Sequence, residues 1–323
     1  MPRVQPDQLS ICADRLRAGE LVAFPTETVY GLGADATQAE AIAKVYAVKN
    51  RPSFNPLICH VADFAAAEKL GVFSDNAQKL AEHFWPGPLT LVVPKRTACP
   101  VAPLASAGLE SIALRVPAHP VAQALLRAVD RPIVAPSANP SGTLSPSRAE
   151  HVVNYFPDLL VLDGGDCSVG VESSIVGCLT EQTYWLRAGG LAKSQIEAHL
   201  GSPLHDAPTE KEDQARLAPG RLARHYAPQH QLLLTNDPAT PKDAVIVFGT
   251  QTDPADRSFN LSPSGSDVEA ASRLYALLHE IDQLLPEGGR ILVRRFPPQT
   301  GGLHEAVLDR LNRAAAPNTA ETS

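Results

Sequence analysis

Apolar positions along this chain fall into two recurring patterns, short continuous runs and longer stretches of helical period. Leu21–Phe24, Leu57–Val61, Thr90–Val93, Ile112–Val116, Ile133–Ala135, Leu159–Leu162, Ser174–Gly177 and Tyr184–Leu186 read as strands, each a brief apolar or β-branched run. Helical spacing fills several gaps between them, over Asn76–Phe84, Val121–Val129, Arg148–Tyr155 and Ser194–Leu200. A further helix is signalled by Thr37 and Glu40, which have the spacing of a capping box, and by Ile42, Val45 and Tyr46, which then share a face. It should stop near Lys49, because Pro52 cannot continue it. Strands in this number, mixed with helices, predict an α/β domain around a large, twisted mixed sheet.

The pattern breaks after residue 200. Asp206-Ala-Pro-Thr-Glu-Lys-Glu-Asp-Gln214 is polar and aperiodic and reads as a linker. Beyond it, Leu232–Thr235, Val245–Phe248 and Ile291–Arg294 read as strands, and Val268–Leu284 and Leu303–Ala314 as helices. This is the pattern of a smaller Rossmann-like α/β unit. The expected organisation is a first domain over 1–204, a linker over 205–228 and a second domain over 229–323. The small, polar tail after Ala315 is expected to fray.

Composition narrows the class without changing this picture. A chain of 323 residues is long enough for two cores, and 44% hydrophobic with 20% charged residues is ordinary for a soluble globular protein. No apolar run approaches the roughly 18 residues of a membrane span, and the first residues lack a basic and then apolar leader. The expected address is cytoplasmic, with no membrane partner. Five scattered cysteines, Cys12, Cys59, Cys99, Cys167 and Cys178, fit free thiols in a reducing compartment and no zinc site. A formal charge of -7 argues against phosphate-driven, non-specific RNA binding as the main task.

Candidate chemistry gathers at strand ends. Phe24-Pro-Thr-Glu-Thr-Val-Tyr-Gly-Leu-Gly33 places small and hydroxyl residues just past a strand, where open α/β sheets favour ligands. Gly31-Leu-Gly-Ala-Asp-Ala36 has the form of a dinucleotide fingerprint. Beyond the next helix stands Lys49-Asn-Arg51 rather than an acidic ribose ligand, so glycines in a tight turn are the expected reading. Lys49 and Arg51 are either solvated cations near a helix C-terminus or a triphosphate clamp, with Arg51 as a planar fork and Lys49 as a point charge. His60 ends an apolar strand, as ordinary core histidines do. Arg115 lies within an apolar strand and needs a partner, either a substrate carboxylate or an internal acid. Ser137 and Asn139 could meet phosphate or ribose, or simply make a turn. No G-x-x-x-x-G-K-[ST] is present, so any ATP must be held by side chains from several loops.

Taken in order, several strings resemble the YrdC-like family of threonylcarbamoyl-adenylate synthases. They are Pro25-Thr-Glu-Thr-Val-Tyr-Gly-Leu-Gly, Lys49-x-Arg-Pro, Asn55-Pro-Leu, Trp85-Pro-Gly-Pro-Leu-Thr, Leu114-Arg-Val-Pro, Ala135-Pro-Ser-Ala-Asn-x-Ser-Gly, Ser173-Ser-Ile-Val and Leu186-Arg-x-Gly. His225-Tyr-Ala-Pro228 resembles the signature of the long, two-domain form. The resemblance implies that Thr28, His60, Arg115, Ala135 and Ser173 contact L-threonine. It implies that Lys49, Arg51, Asn55, Ser111, Ser137, Asn139, Ser145, Arg187 and Tyr226 form the nucleotide set, with Lys49 and Arg51 also serving catalysis. Lys49 and Arg51 are expected to be exposed phosphate ligands.

The implied reaction joins L-threonine, bicarbonate and ATP, with Mg²⁺ accompanying the nucleotide. A downstream tRNA threonylcarbamoyl transferase would use the product, and any tRNA contact by this chain would be indirect or weak. Residues 205–228 would act as a lid that excludes water. Two other readings are a carbamoyl-adenylating module of the hydrogenase-maturation type, and an RNA-binding or translation-associated module without catalysis. Missing cysteine pairs weigh against the first, and acidic charge against the second.

Overall fold

The computed structural model describes residues 3–52, 54–207, 225–296 and 302–317. Eleven strands of the first part form one sheet: β1 (Arg3–Val4), β2 (Val22–Phe24), β3 (Gly31–Asp35), β4 (Ile58–His60), β5 (Leu89–Pro94), β6 (Ser111–Arg115), β7 (Ile133–Val134), β8 (Leu160–Leu162), β9 (Ser174–Gly177), β10 (Tyr184–Arg187) and β11 (His205–Asp206). Their spatial order is β1-β8-β2-β3-β7-β4-β6-β5-β9-β10-β11. Pairing is mixed: β4 runs parallel to β6, while β7 runs antiparallel to β4 and β5 antiparallel to β6. The helices of this part are α1 (Leu9–Arg17), α2 (Ala39–Lys49), α3 (Phe64–Glu68), α4 (Asp75–Phe84), α5 (Pro120–Val129), α6 (Ala149–Tyr155) and α7 (Lys193–Leu200).

The α2 helix ends at Lys49, where Asn50 adopts a left-handed conformation with φ 50° and closes it. Its start differs from the expected capping box. Gln38 is the N-cap and accepts no side-chain bond, while the Thr37 hydroxyl donates to Asp35 Oδ1 at 2.6 Å. Asp35 is buried and also receives Arg131 at 2.7 Å, so the Thr37 hydroxyl donates to a carboxylate instead of accepting from a helix N–H.

The tight-turn reading of Gly31 and Gly33 is corrected as well. Both lie inside β3, paired antiparallel with β2 as Phe24↔Gly31 and Val22↔Gly33. Glycine is required at 33 by space: a Cβ there would sit 2.9 Å from the Phe24 ring and 3.0 Å from the Val22 carbonyl oxygen. A run of small residues without β-branching hid this strand from the sequence pattern.

The second sheet contains β12 (Gln231–Leu234), β13 (Ala244–Val247), β14 (Ser258–Asn260) and β15 (Arg290–Val293), all parallel, in the order β12-β15-β13-β14. Helices α8 (Asp267–Leu284) and α9 (His304–Ala315) accompany it. The β14 strand was not expected, because Ser258–Asn260 is a polar strand at the sheet edge. The core of this part is continuous with the first. Val29, Leu144, Val171 and Ala188 cluster with Tyr226, Leu274, Tyr275 and Leu311. Residues 208–224, most of the expected linker and lid, lie outside the described residues. Among the described residues no helix is long and apolar enough to cross a membrane.

Gly33→Ala should lower stability by about 1–3 kcal/mol through overpacking against Phe24. Urea unfolding would read this as a lower midpoint with an unchanged slope.

Candidate active site

The pocket lies against one face of the first sheet. On β4, alternation turns Cys59 into the main core and leaves Ile58 and His60 on the pocket side. Register places Arg115 of β6 directly beside His60. His60 and Arg115 end two parallel strands, β4 and β6, while Ala135 follows β7, which runs the other way, so the site draws on strands of both directions.

The loop after β2 is wound around one hydroxyl. Thr26 Oγ1 donates to the Val29 carbonyl at 2.7 Å and accepts the Val29 N–H at 3.2 Å. The Thr26 and Thr28 hydroxyls are 2.8 Å apart. The same loop supplies Glu27, which resolves the partner of Arg115. Arg115 Nη2 donates to Glu27 Oε1 at 2.6 Å, Nη1 to Thr28 Oγ1 at 2.9 Å and Nε to the Gly87 carbonyl at 3.2 Å. Glu27 Oε2 takes the Ala118 N–H at 3.0 Å. The guanidinium is thus held by an internal acid, yet it carries five N–H donors and lines the pocket.

His60 is buried, and its Nδ1 has no hydrogen-bond partner. Burial, and then the Arg115 charge, push its pKa down to about 3, so the ring is neutral. An ordinary core histidine would be satisfied. An orphaned nitrogen facing a pocket is the mark of a ligand contact.

Lys49 departs from expectation. It is 2% exposed and donates to the carbonyls of Ser137 and Asn139. It therefore staples the loop after β7 from behind, rather than standing as an exposed cation. Burial, then Arg51, hold its pKa well below the ordinary lysine value. Arg51 does line the pocket; burial pushes its pKa down to about 10, and its Nε has no partner. Its Nη2 donates to the Pro56 carbonyl at 3.2 Å.

The other expected residues divide by position. Thr28, Ala135, Ser137, Ser173, Arg187 and Tyr226 line the pocket together with Arg51, His60 and Arg115. Asn55, Ser111, Asn139 and Ser145 stand outside its wall with Lys49. Ser111 begins the strand that Arg115 ends, about 13 Å away at strand rise. Asn139 donates to the Pro140 and Thr143 carbonyls at 3.0 and 2.9 Å, which leaves its buried Oδ1 without a partner. Ser145 donates to Glu172 Oε1 at 2.6 Å. Ser173 shares a 2.7 Å bond with Thr90, and its carbonyl accepts Arg187 Nη2 at 2.8 Å.

Two wall residues carried no expected role: His225, which opens the His225-Tyr-Ala-Pro228 string, and Glu172, which directly precedes Ser173-Ser-Ile-Val. Burial raises the Glu172 pKa, but the charges of Arg310 and Arg187 outweigh it and push the carboxyl down to about 2. His225 is buried beside the Tyr226 ring, with its Nδ1 unpartnered and its pKa pushed down by burial to about 3. Tyr226 adopts a left-handed backbone with φ 62°, uncommon for a bulky residue, which fits a side chain fixed in place by its surroundings. The enclosed volume of the cavity is about 60 Å³. Three arginines and one carboxylate line it, so it selects anions.

An arginine-lined pocket on a mixed sheet, with His225 and Tyr226 in its wall just ahead of a second, parallel sheet, is that of a YrdC-like protein. The sequence model of the Sua5–YciO–YrdC family, described as telomere recombination, matches residues 14–189. The model of the threonylcarbamoyl-AMP synthase C-terminal domain matches residues 191–316. A threonylcarbamoyl-AMP synthase of Pyrococcus abyssi is 36% identical over 97% of this chain and 95% of its own length. One from Bacillus subtilis is 45% identical over 70% of this chain and 66% of its own. The crystal structure of P. abyssi Sua5 complexed with L-threonine superposes with a TM-score of 0.86, at 35% identity, over 97% of this chain and 96% of that one. The chain belongs to the Sua5–YciO–YrdC family, in its two-domain form.

Arg115→Ala would strand Glu27 in the interior, and should cost about 3–5 kcal/mol of stability in addition to any effect on substrate. Glu27→Gln/Arg115→Met should recover much of that loss in a denaturation experiment.

Acid should destabilise the fold in two stages. His60 and His225 are held below their ordinary value of 6.5, so their contribution is complete above pH 6.5 and lost as pH falls toward 3. Each removes up to about 1.4 kcal/mol per pH unit. Glu172 adds a second loss between about pH 4.5 and 2. Urea midpoints should fall steadily below pH 6.5, and His225→Gln should flatten the first stage.

Proposed function

We propose that this pocket joins L-threonine, bicarbonate and ATP into threonylcarbamoyl-adenylate and pyrophosphate, the first step of a tRNA modification. The supporting observation is one cavity that brings Arg51, Arg115 and Arg187 together with Thr28, His60, Ser137 and Ser173. Its charge suits a triphosphate and an amino-acid carboxylate, and its hydroxyls suit a small polar side chain. The names of the relatives and the whole-chain likeness to a threonine-bound structure point the same way.

The chemistry asks little covalent work of the protein. Neutral threonine amine adds to the carbon of carbon dioxide, which bicarbonate yields with loss of hydroxide, and the amine proton neutralises that hydroxide. The resulting N-carboxylate attacks the α-phosphorus of ATP, the α–β bridging bond breaks, and pyrophosphate leaves. Surrounding arginines lower the pKa of the bound amine and so favour its reactive form. His60, neutral and depressed to about 3, is a poor base at neutral pH and serves to position threonine. Arg115, already oriented by Glu27 and Thr28, offers its remaining N–H groups to the threonine carboxylate, with Ala135 and Ser173 alongside.

Arg51 and Arg187 receive the phosphates. Lys49 would exchange its two carbonyl partners for phosphate oxygens as the nucleotide enters. Ser137, Asn139, Ser145, Asn55, Ser111 and Tyr226 complete the nucleotide surroundings. Mg²⁺ arrives as part of the substrate, chelated by the phosphates. Among the described residues no group of three or more His, Cys, Asp and Glu could cage it, and Glu172 is already held by Ser145, Tyr275 and Arg310. The product is a labile mixed anhydride, so a tRNA threonylcarbamoyl transferase must take it up promptly. Direct tRNA contact by this chain would be weak, given its charge of -7.

Pyrophosphate release should require ATP, threonine and bicarbonate together, and should vanish when any one is omitted. Release without threonine, or tight salt-sensitive RNA binding without turnover, would remove this reading. Arg51→Ala should lower turnover on the order of 100-fold with little change in stability. Lys49→Ala should lower both, because it also frees two buried carbonyls.

A further inference from the structure

Four groups beside the pocket form a hydrogen-bond chain whose protons fit in one order only. Arg115 Nη1 donates to Thr28 Oγ1 at 2.9 Å. Thr28 Oγ1 lies 2.8 Å from Thr26 Oγ1, which in turn lies 2.7 Å from the Val29 carbonyl oxygen. All three side chains are buried. Arg115 and Thr28 line the pocket, whereas Thr26 stands outside its wall.

Chemistry fixes both ends of the chain. A guanidinium has donors and no acceptor, and a carbonyl oxygen only accepts. The single Thr26 proton therefore goes to Val29, since a 2.7 Å contact between hydroxyl and carbonyl requires it. Thr26 Oγ1 then turns lone pairs to its other neighbours. The backbone N–H groups of Thr28 and Val29 approach it at 3.2 Å each, as donors approach an acceptor. The gap of 2.8 Å between the two hydroxyls must hold the Thr28 proton, because lone pairs meeting there would repel and a buried O–H would go unmatched. Thr28 Oγ1 thus has its proton spent on Thr26 and one lone pair taken by Arg115. Its second lone pair has no partner among the described residues. Any ligand group that meets it must donate.

We propose that Thr26 is a positioning residue for the reaction above: it holds the Thr28 hydroxyl as a pure acceptor, which takes an N–H or O–H of the amino-acid substrate. This inference rests on the activity proposed for the pocket. The arrangement sorts the polar groups of the substrate. The Arg115 guanidinium receives the carboxylate, and the neighbouring oxygen receives a donor. A carboxylate placed against Thr28 would meet lone pair with lone pair, so a substrate bound the wrong way round is refused. Without Thr26 behind it, the Thr28 O–H would be free to turn and offer its hydrogen to the pocket, and this polarity would be lost.

The test uses the full chain, with threonine- and bicarbonate-dependent pyrophosphate release and thermal unfolding measured on each variant. Thr26→Val removes the acceptor at nearly constant volume. It should raise the KM for threonine on the order of 10-fold and leave the KM for ATP within about 2-fold. Thr26→Ser keeps the oxygen and should give back most of that loss. Thr28→Val should raise the threonine KM at least as far. Adding Thr26→Val to it should change little, since no hydroxyl is left to orient. Substituting α-aminobutyrate, which is threonine without its hydroxyl, identifies the donor. If Thr28→Val raises the KM for both amino acids, Thr28 accepts the amine; if for threonine alone, it accepts the hydroxyl.

The proposal is overturned if folded Thr26→Val keeps the wild-type threonine KM, or if Thr26→Ser is as impaired as Thr26→Val. It is equally overturned if the Thr26 and Thr28 losses multiply, or if Thr28→Val raises the KM for neither amino acid. Should Thr26→Val fail to fold, neutron diffraction from the deuterated wild-type chain decides. A deuteron of Thr26 aimed at Val29 and one of Thr28 aimed at Thr26 uphold the order, and a Thr26 deuteron aimed at Thr28 overturns it. A wild-type chain with no threonine-dependent release would instead remove the activity itself, a result distinct from all of these.

Discussion

Positive charge held away from water is the constraint from which the site follows. Arg51, Arg115 and Arg187 line one cavity, Lys49 and Arg310 are buried outside its wall, and each of these charges would be costly to bury alone. The protein satisfies them unequally. Arg115 is paired with Glu27, and Arg310 with both Glu172 and Asp309. Lys49 donates to two carbonyls and forms no ion pair among the described residues, and Arg51 keeps a buried N–H unmatched. The incompletely compensated cations are the ones that an incoming polyanion can relieve, so substrate binding and the electrostatics of the empty protein are two sides of one balance.

Neutral groups are arranged in the same spirit. His60 and His225 are kept uncharged by burial, which avoids adding cations where arginines already crowd. Their unpartnered nitrogens, like Asn139 Oδ1, are hydrogen-bonding capacity left unspent in the interior. A fold tolerates such vacancies where a ligand completes them.

Much of this could be read from the amino-acid order. Strands with apolar, β-branched runs, such as Ser174–Gly177, stand where the pattern puts them, and α2 ends at Lys49. What escaped were elements whose making is not written in hydrophobicity. β3 is built of small residues excused from branching by the Phe24 ring, and β14 is a polar edge strand. The site was partly legible for a similar reason. Arg115 visibly needed a partner, but two candidates were open, and only the folded chain brings Glu27 beside it. Lys49 looked solvated because two nearby cations suggest a surface, whereas tertiary packing turned one inward. Glu172 was hidden altogether, since its partners lie 27, 103 and 138 residues away in sequence.

The Gly170 turn carries a lesson for anyone recombining such proteins. Its backbone has φ 74° and abuts α8 with no room for even a methyl group. The seam between the two halves is thus written partly in the first half, at Gly170 and Glu172, far from where the chain passes from one to the other. A chimera that grafts a foreign carboxy-terminal half at the linker would inherit a mismatched joint unless those two positions travelled with it.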